Sequence, residues 1–177
     1  DSPGHVDFSN EVSSALRMSD GGLVIVDVNE GVFHDAHRHQ VGMGREGQAL
    51  LVLNKIDRLI IDRGMDGSAI YQTLVQTVEQ VNSIISELIK ADLLENESGR
   101  TAKNFDDLLE QEEQRCLFRP DTGNVAFASG YDCWSFTLPG FIPNVAKKVG
   151  MNPKALLKFM WDQFYFDTAT NKVSKVP

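Results

Sequence analysis

Cysteine, long apolar runs and positive charge are all scarce in this chain. Cys116 and Cys133 are its whole cysteine complement. Two cysteines without metal-ligand spacing make neither a disulfide scaffold nor a zinc site, and they suit a reducing compartment. No apolar run reaches the roughly 18 residues of a membrane span, and no signal-peptide pattern is present. The expectation is a chain that is neither membrane-spanning nor secreted. Lys and Arg number 17 against 25 Asp and Glu, a net charge of −8. That balance argues against autonomous nucleic-acid binding, because phosphate contacts need cations. What is present is 177 residues, 42% of them hydrophobic, enough for one domain with a real core.

The strongest pattern is Leu50-Leu51-Val52-Leu53-Asn54-Lys55-Ile56-Asp57. An apolar run that stops at a polar tetrad reads as a buried parallel strand delivering side chains to a ligand at its carboxyl end. Asn-Lys-x-Asp in that place resembles the guanine-reading motif of GTP-binding proteins. The Asp57 carboxylate can accept from the ring N–H and exocyclic amine of guanine, a pair adenine does not offer. The Lys55 stem can lie along the base, and Asn54 would tie the loop to neighbouring backbone. An ordinary turn is the plain alternative for four residues.

A second pattern lies upstream. Asp1-Ser2-Pro3-Gly4-His5 fits the Asp-x-Pro-Gly-His element of translational GTPases. There the Asp sits behind a magnesium ion, and the Gly N–H faces the γ-phosphate because no side chain blocks the approach. The His orients the attacking water. The alternative is a turn followed by an exposed His. Downstream, Asn124–Ala128 reads as a last buried strand entering Ser129-Gly130-Tyr131-Asp132. Backbone N–H groups of such a Ser-Gly loop would reach the guanine carbonyl; a strand-to-helix turn is the alternative.

The rest of the chain fits around these stretches. Asp7 to Met18 reads as a helix with Phe8, Val12, Ala15 and Leu16 on one face, capped by Asp7 or Ser9. Leu23 to Val28 is β-branched and reads as a buried strand, parallel to the one at Leu50. After the tetrad, Ser68 is expected to cap a long helix whose Ile70, Leu74, Val75, Val78, Val81, Ile84, Ile85 and Leu88 face a core. Asp92 to Gln114 is acidic and reads as an exposed, partly disordered insertion with one short helix around Phe105, Leu108 and Leu109. Trp134, Phe136, Leu138, Phe141 and Val145 read as core of the next segment. A last helix is expected over Pro153–Asp162, then a hairpin of Tyr165-Phe166-Asp167 with Lys172-Val173-Ser174.

The connection Phe33–Gln48 has the length of a crossover helix and the wrong character. It holds Gly42, Gly44 and Gly47, almost no apolar face, and His34, His37 and His39. Three readings stand: a metal site, a solvated loop, or a stretch translated out of frame. His37 and His39 would face different sides of a helix, which weighs against a metal. Advancing the codons by one nucleotide turns Met43-Gly44 into tryptophan without ambiguity. The same shift turns Gln40-Val41 into lysine or arginine. The result fits Cys-x-x-Thr-x-x-Val-x-Arg-x-Ala-Trp and restores an apolar face at helical spacing. Sequencing the gene across codons 30 to 50 separates the three readings.

Asp1–His5, Asn54–Asp57 and Ser129–Gly130, with Trp134, Trp161 and Tyr165-Phe166-Asp167, resemble the GTP-binding domain of the elongation factor two group. The shifted pattern above is that group's pattern too. Within it, Asn54–Ile60, Gly123-Asn124-Val125-x-Phe127-x-Ser129 and the acidic insertion resemble the cytoplasmic ribosome-assembly branch of elongation factor-like GTPases. Phe136-Thr137-Leu138 and Phe166-Asp167 are also similar to the translocase. A Gly before Trp134 is usual in the group, and this chain has Cys133 there.

The resemblance implies an α/β, doubly wound, mostly parallel sheet: a P-loop-type G domain truncated at its N-terminus. Residues 1–150 would be the GTP-binding domain, with an acidic insertion at about 92–120, and 151–177 the start of an appended subdomain. It implies His5 as catalytic residue, and Asp1, Gly4, Asn54, Lys55, Asp57, Ser129 and Gly130 as nucleotide-binding residues. GTP and Mg2+ would be the bound groups, with Asp1 serving the metal indirectly. The implied role is GTP-driven release of an anti-association factor from the nascent large ribosomal subunit in the cytoplasm, helped by the Shwachman–Bodian–Diamond syndrome protein. Translocation of the elongation factor two type is the runner-up. An inactive fragment is the third reading, because no Gly-rich phosphate loop with its Lys, and no Thr to close over magnesium, is found here.

Overall fold

The computed structural model describes residues 18–32, 49–96, 105–157, 159–161, 164–167 and 172–174. Four strands form one sheet in the order β1 (Gly22–Asp27), β2 (Ala49–Asn54), β3 (Val125–Ser129) and β4 (Trp134–Thr137). The first three are parallel, with Leu23 beside Leu50 and Leu53 beside Phe127. The expected α/β architecture with a mostly parallel sheet is what forms. Its helices are α1 (Ile56–Ile61), α2 (Gly67–Asn96), α3 (Phe105–Cys116), α4 (Leu138–Val149) and α5 (Pro153–Leu157).

Strand alternation sets the core. Val24, Val26, Leu51, Leu53, Val125 and Phe127 are buried in one cluster with Leu74, Val78, Val81, Ile85 and Ile89 of α2. Leu23 and Ile25 point to the other face and are 63% and 54% exposed. The expectation of a buried strand therefore holds for one face of β1 only. Successive side chains leave a strand on opposite sides, and α2 covers one side only. The segments 7–17 and 33–48, read as a helix and a crossover, lie outside the described residues.

β4 is the antiparallel member of this mostly parallel sheet. It runs antiparallel to β3, with Phe127 opposite Phe136 and Ser129 opposite Trp134. Trp-Ser-Phe-Thr alternates apolar with polar, which is a strand period, and an antiparallel edge strand on a parallel sheet is common. Gly123 closes the turn before β3 at φ 89°, where an added Cβ would meet Pro139 Cγ at 3.3 Å. Asn124 completes that turn, accepting the Arg119 N–H at 2.7 Å and donating Nδ2 to the Leu117 carbonyl at 3.0 Å.

α2 begins earlier than expected. Asp66, not Ser68, caps it, its Oδ1 accepting the Ala69 N–H at 2.7 Å. Asp at the N-cap satisfies a donor that the first turn leaves without a partner. The helix is 30 residues, about 45 Å, long. It runs through Asn96, so the acidic stretch starts inside it. Residues 97–104 lie outside the described residues, and α3 follows. The stretch is fastened at its far end rather than exposed throughout: Cys116, Phe118 and Pro120 are buried. Asn82 of α2 donates Nδ2 to the Phe118 carbonyl at 2.9 Å and accepts the Phe118 N–H at 2.8 Å.

α5 is shorter than its periodicity predicts and stops at Leu157. Trp161 turns onto the sheet instead, its carbonyl accepting from the Tyr71 hydroxyl at 3.1 Å. Its ring lies 5.4 Å from that of Tyr71 and 5.5 Å from that of Phe127. The expected hairpin forms as β5 (Tyr165–Asp167) antiparallel to β6 (Lys172–Ser174).

Candidate functional site

β2 delivers Asn54 to its carboxyl end, level with Asp27 at the end of β1. The chain then turns sharply. Lys55 adopts φ 64°, a left-handed conformation that costs an L residue about 1–2 kcal/mol. Asn54 Oδ1 accepts two N–H groups, from Lys55 at 2.8 Å and from Gly130 at 2.9 Å. One side chain thus joins the β2 loop to the β3–β4 turn, 76 residues on. The same bond gives the Gly130 N–H, expected to reach a guanine carbonyl, a partner inside the protein.

Ser129 is 1% exposed at the end of β3. Its Oγ accepts the Asp132 N–H at 3.0 Å and donates to Asp132 Oδ2 at 3.4 Å. Its hydroxyl therefore shapes the turn. Cys133 closes that turn at φ 56°, in the left-handed region that favours glycine.

Asp57 stands in the first turn of α1 and is 5% exposed. Its Oδ1 is buried and has no hydrogen-bond partner among the described residues. Leaving a buried polar atom unsatisfied costs about 1–3 kcal/mol, more if charged. A ligand offering N–H donors would remove that cost. The site therefore has an acceptor waiting, held beside a rigid strand end.

Two residues escaped the sequence reading. Asp27 pairs with Lys55 through Oδ2 and Nζ, and its Oδ1 accepts the Asn29 N–H at 2.9 Å. Asn29 Nδ2 donates to the Lys55 carbonyl at 3.4 Å. Burial pushes the Asp27 carboxyl up, but the Lys55 ammonium and the N–H groups of Asn29 and Glu30 outweigh it and hold it below the ordinary value. The Asp27 carboxylate raises the Lys55 ammonium in turn. A usable signal was an Asp at the carboxyl end of a parallel strand adjacent to the tetrad.

The tetrad and the Ser-Gly turn are brought together. Asp1, Gly4 and His5, and the three clustered histidines, lie outside the described residues. Among the described residues no group of three or more His, Cys, Asp or Glu could hold a metal ion, and no helix is long and apolar enough to cross a membrane.

A mostly parallel α/β sheet with Asn-Lys-x-Asp on an inner strand, tied to a Ser-Gly turn on the next, defines a GTP-binding domain of the translation-factor class. The chain belongs to that family: the elongation factor Tu GTP binding domain profile matches residues 1–164. Among individual proteins it is similar to Ribosome assembly protein 1 of Schizosaccharomyces pombe, 41% identical over 175 residues, 98% of this chain. It is also similar to Elongation factor-like GTPase 1 of mouse, 34% identical over 192 residues, and of human, 34% identical over 191 residues, each covering 99% of this chain. The chain spans 17% of the length of each of these relatives.

Proposed function

We propose that the protein carrying this chain is a GTPase of large-subunit ribosome assembly, and that Asn54, Lys55 and Asp57 hold the guanine. The observation that carries the guanine reading is the buried Asp57 oxygen without a partner. Guanine supplies two donors on one edge, which a carboxylate accepts together. Lys55 would flank the base. Asn54 fixes the loop, and Ser129 and Gly130 form its second wall, where a guanine carbonyl would compete with Asn54 for the Gly130 N–H. Residues 1–150 would be the GTP-binding unit, and the segment from 151 the start of an appended subdomain that Trp161 fastens to the sheet. Asp1 behind Mg2+, Gly4 facing the γ-phosphate and His5 orienting water complete the proposal from sequence.

The names of the relatives support the assembly role over translocation. In it, GTP hydrolysis releases an anti-association factor from the nascent large subunit in the cytoplasm, with the Shwachman–Bodian–Diamond syndrome protein as helper. The test of the site is Asp57→Asn in the complete protein. One acceptor becomes a donor facing guanine donors, so GTP should weaken by roughly 10²-fold while xanthosine triphosphate gains. GTP affinity equal to the parent's would reduce the tetrad to a turn. For the role, GTP should release the anti-association factor from purified large subunits; hydrolysis without release would favour translocation.

A further inference from the structure

The turn after β1 reaches Lys55 from both ends. Asp27 holds the ammonium, and Asn29 Nδ2 meets the Lys55 carbonyl at 3.4 Å. Arg63 Nη2 donates to the Asn29 carbonyl at 2.8 Å, fixing the turn from the far end of α1. The Lys55 side chain thus spans from the end of β2 to the end of β1. Without a partner, a lysine on a left-handed residue at a loop tip would sample many rotamers. The pairing with Asp27 narrows the courses open to its stem.

We infer that Asp27 is a positioning residue for guanine binding, acting through Lys55. The inference rests on the guanine reading and adds the residue that sets the pose of Lys55. A side chain already ordered loses less freedom when a base is laid against it, so part of the cost of binding is removed beforehand. Asp27 also neutralises the ammonium while leaving its apolar stem for the base. Asp27 acts on the nucleotide through its ion pair with Lys55, which makes the effect conditional on Lys55.

The test is a double-mutant cycle in the complete protein, read as GDP affinity by titration calorimetry. Asp27→Asn keeps the acceptor for the Asn29 N–H and removes only the charge. It should weaken GDP by roughly 3–10-fold, with the parent's thermal midpoint kept within about 2 °C. In a Lys55→Ala background the same change should shift affinity by less than about 1.5-fold. In nucleotide-free protein, acetic anhydride should label Lys55 several-fold faster in Asp27→Asn than in the parent. Should Asp27→Asn not fold, Asp27→Ser, which also lacks the charge and keeps an acceptor, takes its place in the cycle. Equal losses in both backgrounds, or none with Lys55 present, overturn the inference alone. A parent protein that binds no GDP overturns the guanine reading, and this inference with it.

Discussion

Cys133 shows how one residue carries a backbone cost that its neighbours impose. Four residues separate Ser129 of β3 from Trp134 of β4, and the last of them must turn left-handed to re-enter the sheet. Cys133→Gly should stabilise the protein by about 0.5–1 kcal/mol. The gain is the ~1–2 kcal/mol of left-handed strain, less the ~0.5–1 kcal/mol of glycine's extra freedom when unfolded. A urea midpoint that does not rise would remove the strain account. At the same scale, His5→Ala in the complete protein should leave GTP affinity near the parent's. Ribosome-stimulated hydrolysis should slow by on the order of 10²–10⁴-fold, because water positioning acts in the transition state. Hydrolysis at the parent rate would overturn the proposed catalytic role of His5. Asn54, Lys55 and Asp57 were legible because residue type and order carry the motif. Asp27 was legible only as an Asp ending a strand; its pairing with Lys55 was not, since the two are 28 residues apart and strand register sets them side by side.

The element that depends most on a single contact is the segment leaving α3. Asn82 meets both the N–H and the carbonyl of Phe118, as a neighbouring strand would. Phe118 itself is 2% exposed, so water cannot replace that partner. Asn82→Ala should cost about 2 kcal/mol in denaturant unfolding. It should also release the Phe118 amide to hydrogen exchange, and a protected amide in the variant would mean another group holds it. α2 itself was legible from its 3.6-residue period. Its cap was misplaced by two positions because Asp66 and Ser68 are both good caps, and only geometry chooses between them. The acidic stretch was hidden for a different reason: few apolar residues serve it, and they are gathered at its exit, in Cys116 and Phe118.

At the scale of the molecule, Trp161 decides how the chain beyond 150 is attached. Its ring closes a cluster with Tyr71 of α2 and Phe127 of β3, while Leu156 packs separately on Ile142 and Ala146 of α4. Trp161→Ala should destabilise the protein by about 2 kcal/mol, below the range for a fully buried aromatic side chain because Trp161 is part-buried. Limited proteolysis should then cut after 150 sooner than in the parent. Unchanged stability and cutting would show that Leu157, Met160 and the smaller cluster hold the segment without it.

The amino-acid order by itself determined the class of sheet, the long core helix, the closing hairpin and the Asn-Lys-x-Asp tetrad. Each depends on local periodicity or on residue type at fixed spacing. Tertiary structure alone decided that β4 adds antiparallel, that one face of β1 stays open, and that Asn54 uses the Gly130 N–H. It alone leaves an Asp57 oxygen buried without a partner and pairs Asp27 with Lys55. These are contacts between segments far apart in the chain, and a one-dimensional pattern records what each side chain offers, not what the folded chain sets in front of it.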